Sequence, residues 1–266
     1  MNDSSTQNED APIDRRSADI GIVCTQNLEI KPLLKKLDRA RKYVDDDLIF
    51  RGGFLEESVR VAVVEAGAGF ARHRLAAQTL INEHHPAWVL AIGFSSPLND
   101  DLKPGDICLA NEIADTHGNL LPVKCSIPES KRIYVRKHVV ADRHPGSASE
   151  RKQLAESTNA EVADTTSLAV AQACAESSTD DKQATRFMSI RGIVGETAVD
   201  LEQDVTDYLF SPEAAKKGGG LVQLWSRIRP DKKFAPWKTE AEQTAVNLTR
   251  FVLGVIDQLA QKLGRY

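Results

Sequence analysis

Cysteine is scarce in this 266-residue chain, which has only Cys24, Cys108, Cys125 and Cys174. They lie far apart and three sit in apolar runs, so buried free thiols are expected, neither a disulfide framework nor a zinc site. Long apolar runs are missing as well. The strongest, such as Trp88 to Ile92 with its neighbours, fall far short of the roughly 20 residues that span a bilayer, so no membrane partner is expected. The first 18 residues are polar and acidic. They contain no apolar h-region and no Arg-rich, acid-poor pattern, so neither a secretory signal nor a transit peptide is expected, and the cytoplasm is the expected compartment. A positive charge excess is also lacking, because 34 Lys and Arg stand against 38 Asp and Glu for a net charge of −4. That balance offers no basic footprint for a nucleic-acid partner.

What remains is an ordinary globular composition, 41% hydrophobic, 27% charged and 6% aromatic, which excludes the disordered and collagenous classes. Met1 to Ala18 lack apolar periodicity and read as a mobile tail, leaving residues 19–266 as one domain. Short β-branched runs then alternate with helical patterns, the mark of an α/β fold. Ile20 to Cys24 reads as a strand and Leu28 to Leu37 as a helix, in which Pro32 is tolerable only in the opening turns. Val59 to Glu65 is a strand, followed by Ala66-Gly67-Ala68-Gly69 and an amphipathic helix from Phe70 to His84. Trp88 to Phe94 is an apolar strand of the kind buried on both faces. Ile107 to Ala110 opens another after a Lys103-Pro104-Gly105-Asp106 turn. Ser149 to Ser157 and Asp164 to Glu176 read as helices, Phe187 to Val194 as a late buried strand, and Ala245 to Leu263 as a closing helix. Arg132 to Val140 is β-prone, though the strands between Ala114 and Gly146 cannot be ordered. Lys216 to Gly220 reads as a flexible loop.

Gly67 and Gly69 stand between a strand and a helix, where backbone N–H groups can approach an anion; a tight turn would use the same residues. Arg72 occupies the place of the third glycine of a dinucleotide fingerprint, which argues against an NAD site. Gly93-Phe94-Ser95-Ser96 follows a buried strand at its carboxyl end, where α/β sheets place ligands, or simply forms its exit turn. Arg51, Arg72 and Arg74 are the cations a phosphate would need near the first turns. The six histidines, at 73, 84, 85, 117, 138 and 144, show no zinc spacing, and no Gly-x-Ser-x-Gly elbow is present.

The order of these motifs resembles the nucleoside phosphorylase and nucleosidase superfamily, especially the methylthioadenosine and S-adenosylhomocysteine nucleosidases. The residues concerned are Ile20-Gly21-Ile22-Val23 with Glu29, Ala66-Gly67-Ala68-Gly69, Ala91 to Ser96, Leu102-Lys103-Pro104-Gly105-Asp106-Ile107, Ala163 to Cys174 and Phe187 to Arg191. They cover roughly residues 19 to 210, and Trp225 to Trp237 is similar to the C-terminus of some bacterial members. The resemblance implies a three-layer α/β/α sandwich around a mixed central sheet, a homodimer or higher homo-oligomer, and no metal or organic cofactor. It also implies cleavage of the N-glycosidic bond of a purine nucleoside, in nucleoside catabolism and methionine salvage. That reaction passes through an oxocarbenium-like sugar and uses two carboxyl groups, one for the nucleophile and one for the leaving base.

By the same resemblance Glu29 orients the attacking water, although a solvated acid in a first helical turn would read alike. Ala68, Gly69, Gly93, Phe94 and Ser95 line the substrate pocket, which Phe94, in place of a small residue, is expected to narrow. Relatives hold the ribose hydroxyls with a Met-Glu pair; here Asp164, Thr165 and Thr166 occupy that region, and threonine cannot accept as a carboxylate does. Asp164 also reads as a helix N-cap. Relatives protonate the purine with the aspartate of Arg-x-x-Ser-Asp, where this chain has Gly195. Glu196 is the nearest substitute, otherwise an exposed loop acid, and Asp200 is a weaker one. Two other outcomes follow from these departures: a nucleoside-binding relative with impaired catalysis, or a phosphate-dependent purine nucleoside phosphorylase.

Overall fold

The structure, a computed structural model, describes residues 17–45, 48–177, 185–211 and 234–265. The Lys216 to Gly220 loop reading and most of the Trp225 to Trp237 segment fall outside the described residues. The chain order is β1 (Ile20–Cys24), α1 (Asn27–Leu34), β2 (Asp38–Asp45), β3 (Leu48–Leu55), β4 (Val59–Glu65), α2 (Phe70–His84), β5 (Trp88–Pro97) and β6 (Ile107–Asp115). It continues through β7 (Leu120–Pro122), β8 (Ile133–Val140), α3 (Ala148–Thr158), β9 (Val162–Asp164), α4 (Ser167–Ser177), β10 (Arg186–Ile193), α5 (Gln203–Phe210) and α6 (Ala235–Lys262).

These strands form one mixed sheet in the order β10-β6-β8-β9-β5-β1-β4-β3-β2, with β7 paired to β6. A further pairing of β10 with β5 closes one half into a ring. Parallel pairs join β1 to β4 and β5, and β5 to β10, so their carboxyl ends meet on one side. Alternation sorts the side chains onto two faces. Ile20, Ile22, Val61, Val63, Leu90 and Ile92 pack with Ile30, Leu33, Leu248, Val252 and Ile256 of α1 and α6. Val23, Ala62, Val64, Val89 and Ala91 pack with Ala76, Leu80, Val170 and Ala173 of α2 and α4. The result is the three-layer α/β/α arrangement that the motif order implies.

Several expectations shift. The fold begins at Ala18, which is buried and whose N–H donates to His84 O at 2.7 Å, because the chain is already paired before β1. Pro32 lies in the second half of α1, and the helix ends two residues later, as loss of its N–H toward Leu28 favours. The segment read as helical from Asp164 begins as strand β9, and helix α4 starts only at Ser167 because Asp164 caps it from outside. β2 and β3 pair antiparallel, a ladder that periodicity did not expose, since β2 is a charged edge strand with little buried face. Cys24, Cys108 and Cys174 are buried free thiols and Cys125 is half-buried.

Candidate functional site

At the carboxyl ends of β1 and β5, Glu29 is 2% exposed. It is the third residue of α1 and reaches back to accept from Thr25 N at 2.8 Å and Gln26 N at 3.1 Å. Its other oxygen accepts from Phe94 N at 3.1 Å, tying the helix start to the end of β5. The first-turn position is therefore real, but the acid is buried rather than solvated. Burial raises its pKa from 4.5 to about 7, with the three backbone donors and Arg191 opposing the rise.

Arg191 enters from β10 and is equally buried at 2%. Both side chains close over Gly93. A Cβ there would stand 2.6 Å from Arg191 Nη1 and 2.9 Å from Glu29 Oε1. Only glycine lets a carboxyl group and a guanidinium approach this point of β5 so closely. A second guanidinium nitrogen, Nη2, donates to Thr166 Oγ1 at 3.1 Å, and Nε stands 3.5 Å from Asp164 Oδ2.

Asp164 does the work of a helix cap. Its Oδ1 accepts from Thr166 N at 2.7 Å and Ser167 N at 2.8 Å, and its Oδ2 accepts from Ser167 Oγ at 2.7 Å. Burial alone would raise its pKa, but the Arg191 guanidinium and the Ser167 amide hold it well below the usual carboxylate range. Asp164 thus remains ionised opposite the buried guanidinium, the pairing that a buried charge requires.

Three histidines surround this pair. His73 of α2 has Nδ1 3.1 Å from Gly69 O, which can only accept, so this nitrogen carries the proton and Nε2 faces Thr25 Oγ1 at 3.4 Å. Burial lowers its pKa to about 4. His144 stacks on Phe210 with ring centroids 3.6 Å apart, has Nδ1 3.5 Å from Ser96 Oγ, and is lowered by burial to about 3. His138 Nδ1 is 3.8 Å from Asp164 Oδ2, beyond hydrogen-bond reach, and burial lowers its pKa as well. All three are neutral near pH 7.

The site residues expected from the sequence separate into groups. Glu29, Gly93, Asp164 and Thr166 converge on Arg191. Ser95 is buried with its hydroxyl unpartnered among the described residues, and alternation along β5 puts it on the face of Gly93. Phe94 faces the other way and packs with Val194, Leu209, Phe210, Ala241 and Ala245, so it does not narrow the space over Gly93. Gly69 caps α2 with φ 106°, beside Ala68, and Thr165 is half-buried next to Thr166. Glu196 is exposed in the loop after β10, beside Glu240, whose pKa is raised by burial and by the Glu196 charge. Gly195 adopts φ 76° and donates its N–H to Glu240 Oε1 at 2.7 Å. Asp200 accepts from Ala148 N at 2.6 Å at the start of α3.

The three candidate phosphate cations have protein partners: Arg51 pairs with Glu65, Arg72 Nε donates to Ala66 O at 2.6 Å, and Arg74 pairs with Glu176. Arg191 is the main residue that reading by motif passed over. Its signal was a lone charge inside the apolar stretch Phe187 to Val194, where a buried cation demands a partner. The histidines gave no such signal, because only the fold brings them together. Among the described residues no group of three or more His, Cys, Asp or Glu could hold a metal ion.

Known proteins share this architecture. Residues 19–145 match the phosphorylase superfamily, while no curated protein sequence matches the chain. The fold is similar to a 5′-methylthioadenosine/S-adenosylhomocysteine nucleosidase from Colwellia psychrerythraea 34H in complex with adenine, at TM-score 0.67 and 17% identity, over 91% of this chain and 96% of that one. The corresponding nucleosidase from Neisseria meningitidis, in complex with methylthio-immucillin-A, gives TM-score 0.63 at 16% identity over 88% and 97%. Futalosine hydrolase from Helicobacter pylori gives 0.61 at 17% over 88% and 97%. Residues 19–145 thus resemble the phosphorylase superfamily, and over most of its length the chain shares the fold of these nucleosidases.

Proposed function

We propose that the protein hydrolyses the N-glycosidic bond of a purine nucleoside, most like the methylthioadenosine and S-adenosylhomocysteine nucleosidases. The observation that carries this reading is the Glu29 carboxylate facing the Arg191 guanidinium across Gly93. A water there donates one proton to Glu29 and is oriented by Arg191. A carboxylate with a pKa near 7 is matched to taking that proton at neutral pH. The water oxygen bonds to the anomeric carbon, Glu29 takes the proton, and the purine leaves with the bonding pair of the broken C–N bond. Arg191 offsets negative charge at the nucleophile and is itself positioned by Asp164 and Thr166. Glu196, exposed and outside this cluster, has no part in the proposal.

Phosphorolysis is less favoured because Arg51, Arg72 and Arg74 are engaged with protein groups. A second reading, nucleoside binding without turnover, is favoured by the commitment of Asp164 and the Thr166 hydroxyl inside the protein. A homo-oligomer and a role in methionine salvage belong to the proposal as well. The test is release of free base from methylthioadenosine, S-adenosylhomocysteine, adenosine and inosine, with and without phosphate. Release without phosphate is expected. Release only with phosphate selects a phosphorylase, and saturable binding with no release selects the inactive relative.

A further inference from the structure

At the amino ends of β5 and β10 the sheet splits. β6 pairs with β10 only through Ile107, Cys108 and Leu109, opposite Gly192, Arg191 and Ile190. β8 follows one edge of β6 throughout, so β7, pairing with Glu112 to Ala114, takes the edge that β10 has left. Among the described residues, Arg186 to Ser189 therefore have β5 on one side and no strand on the other. The alternation is set by Arg186 N donating to Ala87 O and Ile193 N to Asp106 O. It turns the amide and carbonyl of Phe187 into the fork.

The fork holds a cavity of about 810 Å³, within the range of small-molecule sites. Its apolar surface comes from Trp88, Phe187, Ile127, Phe251 and Leu259. Lys124, Arg186 and Lys262 also line it, and no Asp or Glu does among the described residues. The Arg186 guanidinium lies 5.5 Å from the Trp88 ring centroid, and Trp88 Nε1 is buried without a hydrogen-bond partner. Three cations, an unmet indole donor and a free strand edge thus surround an apolar volume.

We infer that this fork binds a medium-chain aliphatic carboxylate, its chain against Phe251 and Leu259 and its head group at Arg186 and Lys262. Charge complementarity selects an anion and the apolar walls select an alkyl tail. The site is separate from Glu29 and Arg191 and does not depend on the reaction proposed there.

Isothermal titration of the full chain with octanoate, decanoate and dodecanoate, each below its micellar concentration, tests this. One saturable site is expected, tightening about fourfold for each added methylene. Dodecanol should bind at least about tenfold more weakly, and Arg186→Glu should weaken dodecanoate at least about tenfold, as loss of a charged hydrogen bond predicts. Arg186 is exposed, so the variant is expected to keep the wild-type circular dichroism. Leu259→Trp, which fills the cavity, provides a second route to the same loss. No saturable binding, affinity independent of chain length, or undiminished binding by both variants would overturn the inference. So would a homo-oligomer that Arg186→Glu dissociates without any dodecanoate binding, which would assign the fork to a second copy of the chain.

Discussion

The two ends of the central parallel strands solve opposite problems. At the carboxyl ends, Glu29, Asp164 and Arg191 are almost wholly out of water, and each is tied to backbone donors or to another charge. At the amino ends, the fork is lined by apolar side chains, and Arg186, Lys124 and Lys262 remain exposed. Buried ions are costly unless paired, so the first arrangement is rigid and pre-organised. The second can gain or lose an occupant at little cost to the fold. Burial of charge, more than cavity size, therefore marks the end suited to chemistry.

The sharpest way to break this comparison is Arg191→Met. It leaves Asp164 ionised and uncompensated, with an expected loss of about 3–5 kcal/mol in urea unfolding, together with the loss of base release. Wild-type stability in that variant would mean that pairing does not hold the carboxyl end together. Glu29→Gln should preserve the fold and lower turnover by about 10² to 10⁴. Because burial raises the Glu29 pKa from 4.5 to about 7, the folded protein keeps a proton that the unfolded chain has lost. Its contribution to stability consequently falls as pH rises through that window, while turnover rises toward the deprotonated base. Both slopes should be absent in Glu29→Gln, as followed by unfolding and rate measurements from pH 4 to 9.

Gly93→Ala comes next. Its methyl group would press between Arg191 Nη1 and Glu29 Oε1, costing about 1–3 kcal/mol by overpacking and lowering kcat more than it raises KM. The smallest effect belongs to the other end. Arg186→Glu should shift stability by no more than about 0.5 kcal/mol and leave base release unchanged; a large loss of either would show that the two ends are coupled.

Much of the architecture was readable because β1, β4 and α2 carry strong periodicity and clear breakers, and the structure places them at Ile20–Cys24, Val59–Glu65 and Phe70–His84 as read. The β2–β3 ladder was not readable, since Asp38 to Asp45 is an exposed edge without an apolar face. Asp164 illustrates a mixed case. Its N-cap chemistry was legible locally, but its ion pair with Arg191, 27 positions along the chain, was not. Glu29 was legible as an acid at a helix start, while its burial and raised pKa depend on β5 folding over it.

By itself the sequence determined the α/β alternation, the order of motifs and the glycine at position 93, because period, turn chemistry and the absence of a side chain are local properties. Only the tertiary structure decided that Gly93 sits between a buried carboxyl group and a guanidinium, that Phe94 turns away from them, and that β6 abandons β10 to open a fork. These outcomes depend on strand register and on which charges are denied water, and neither is set until distant segments pack.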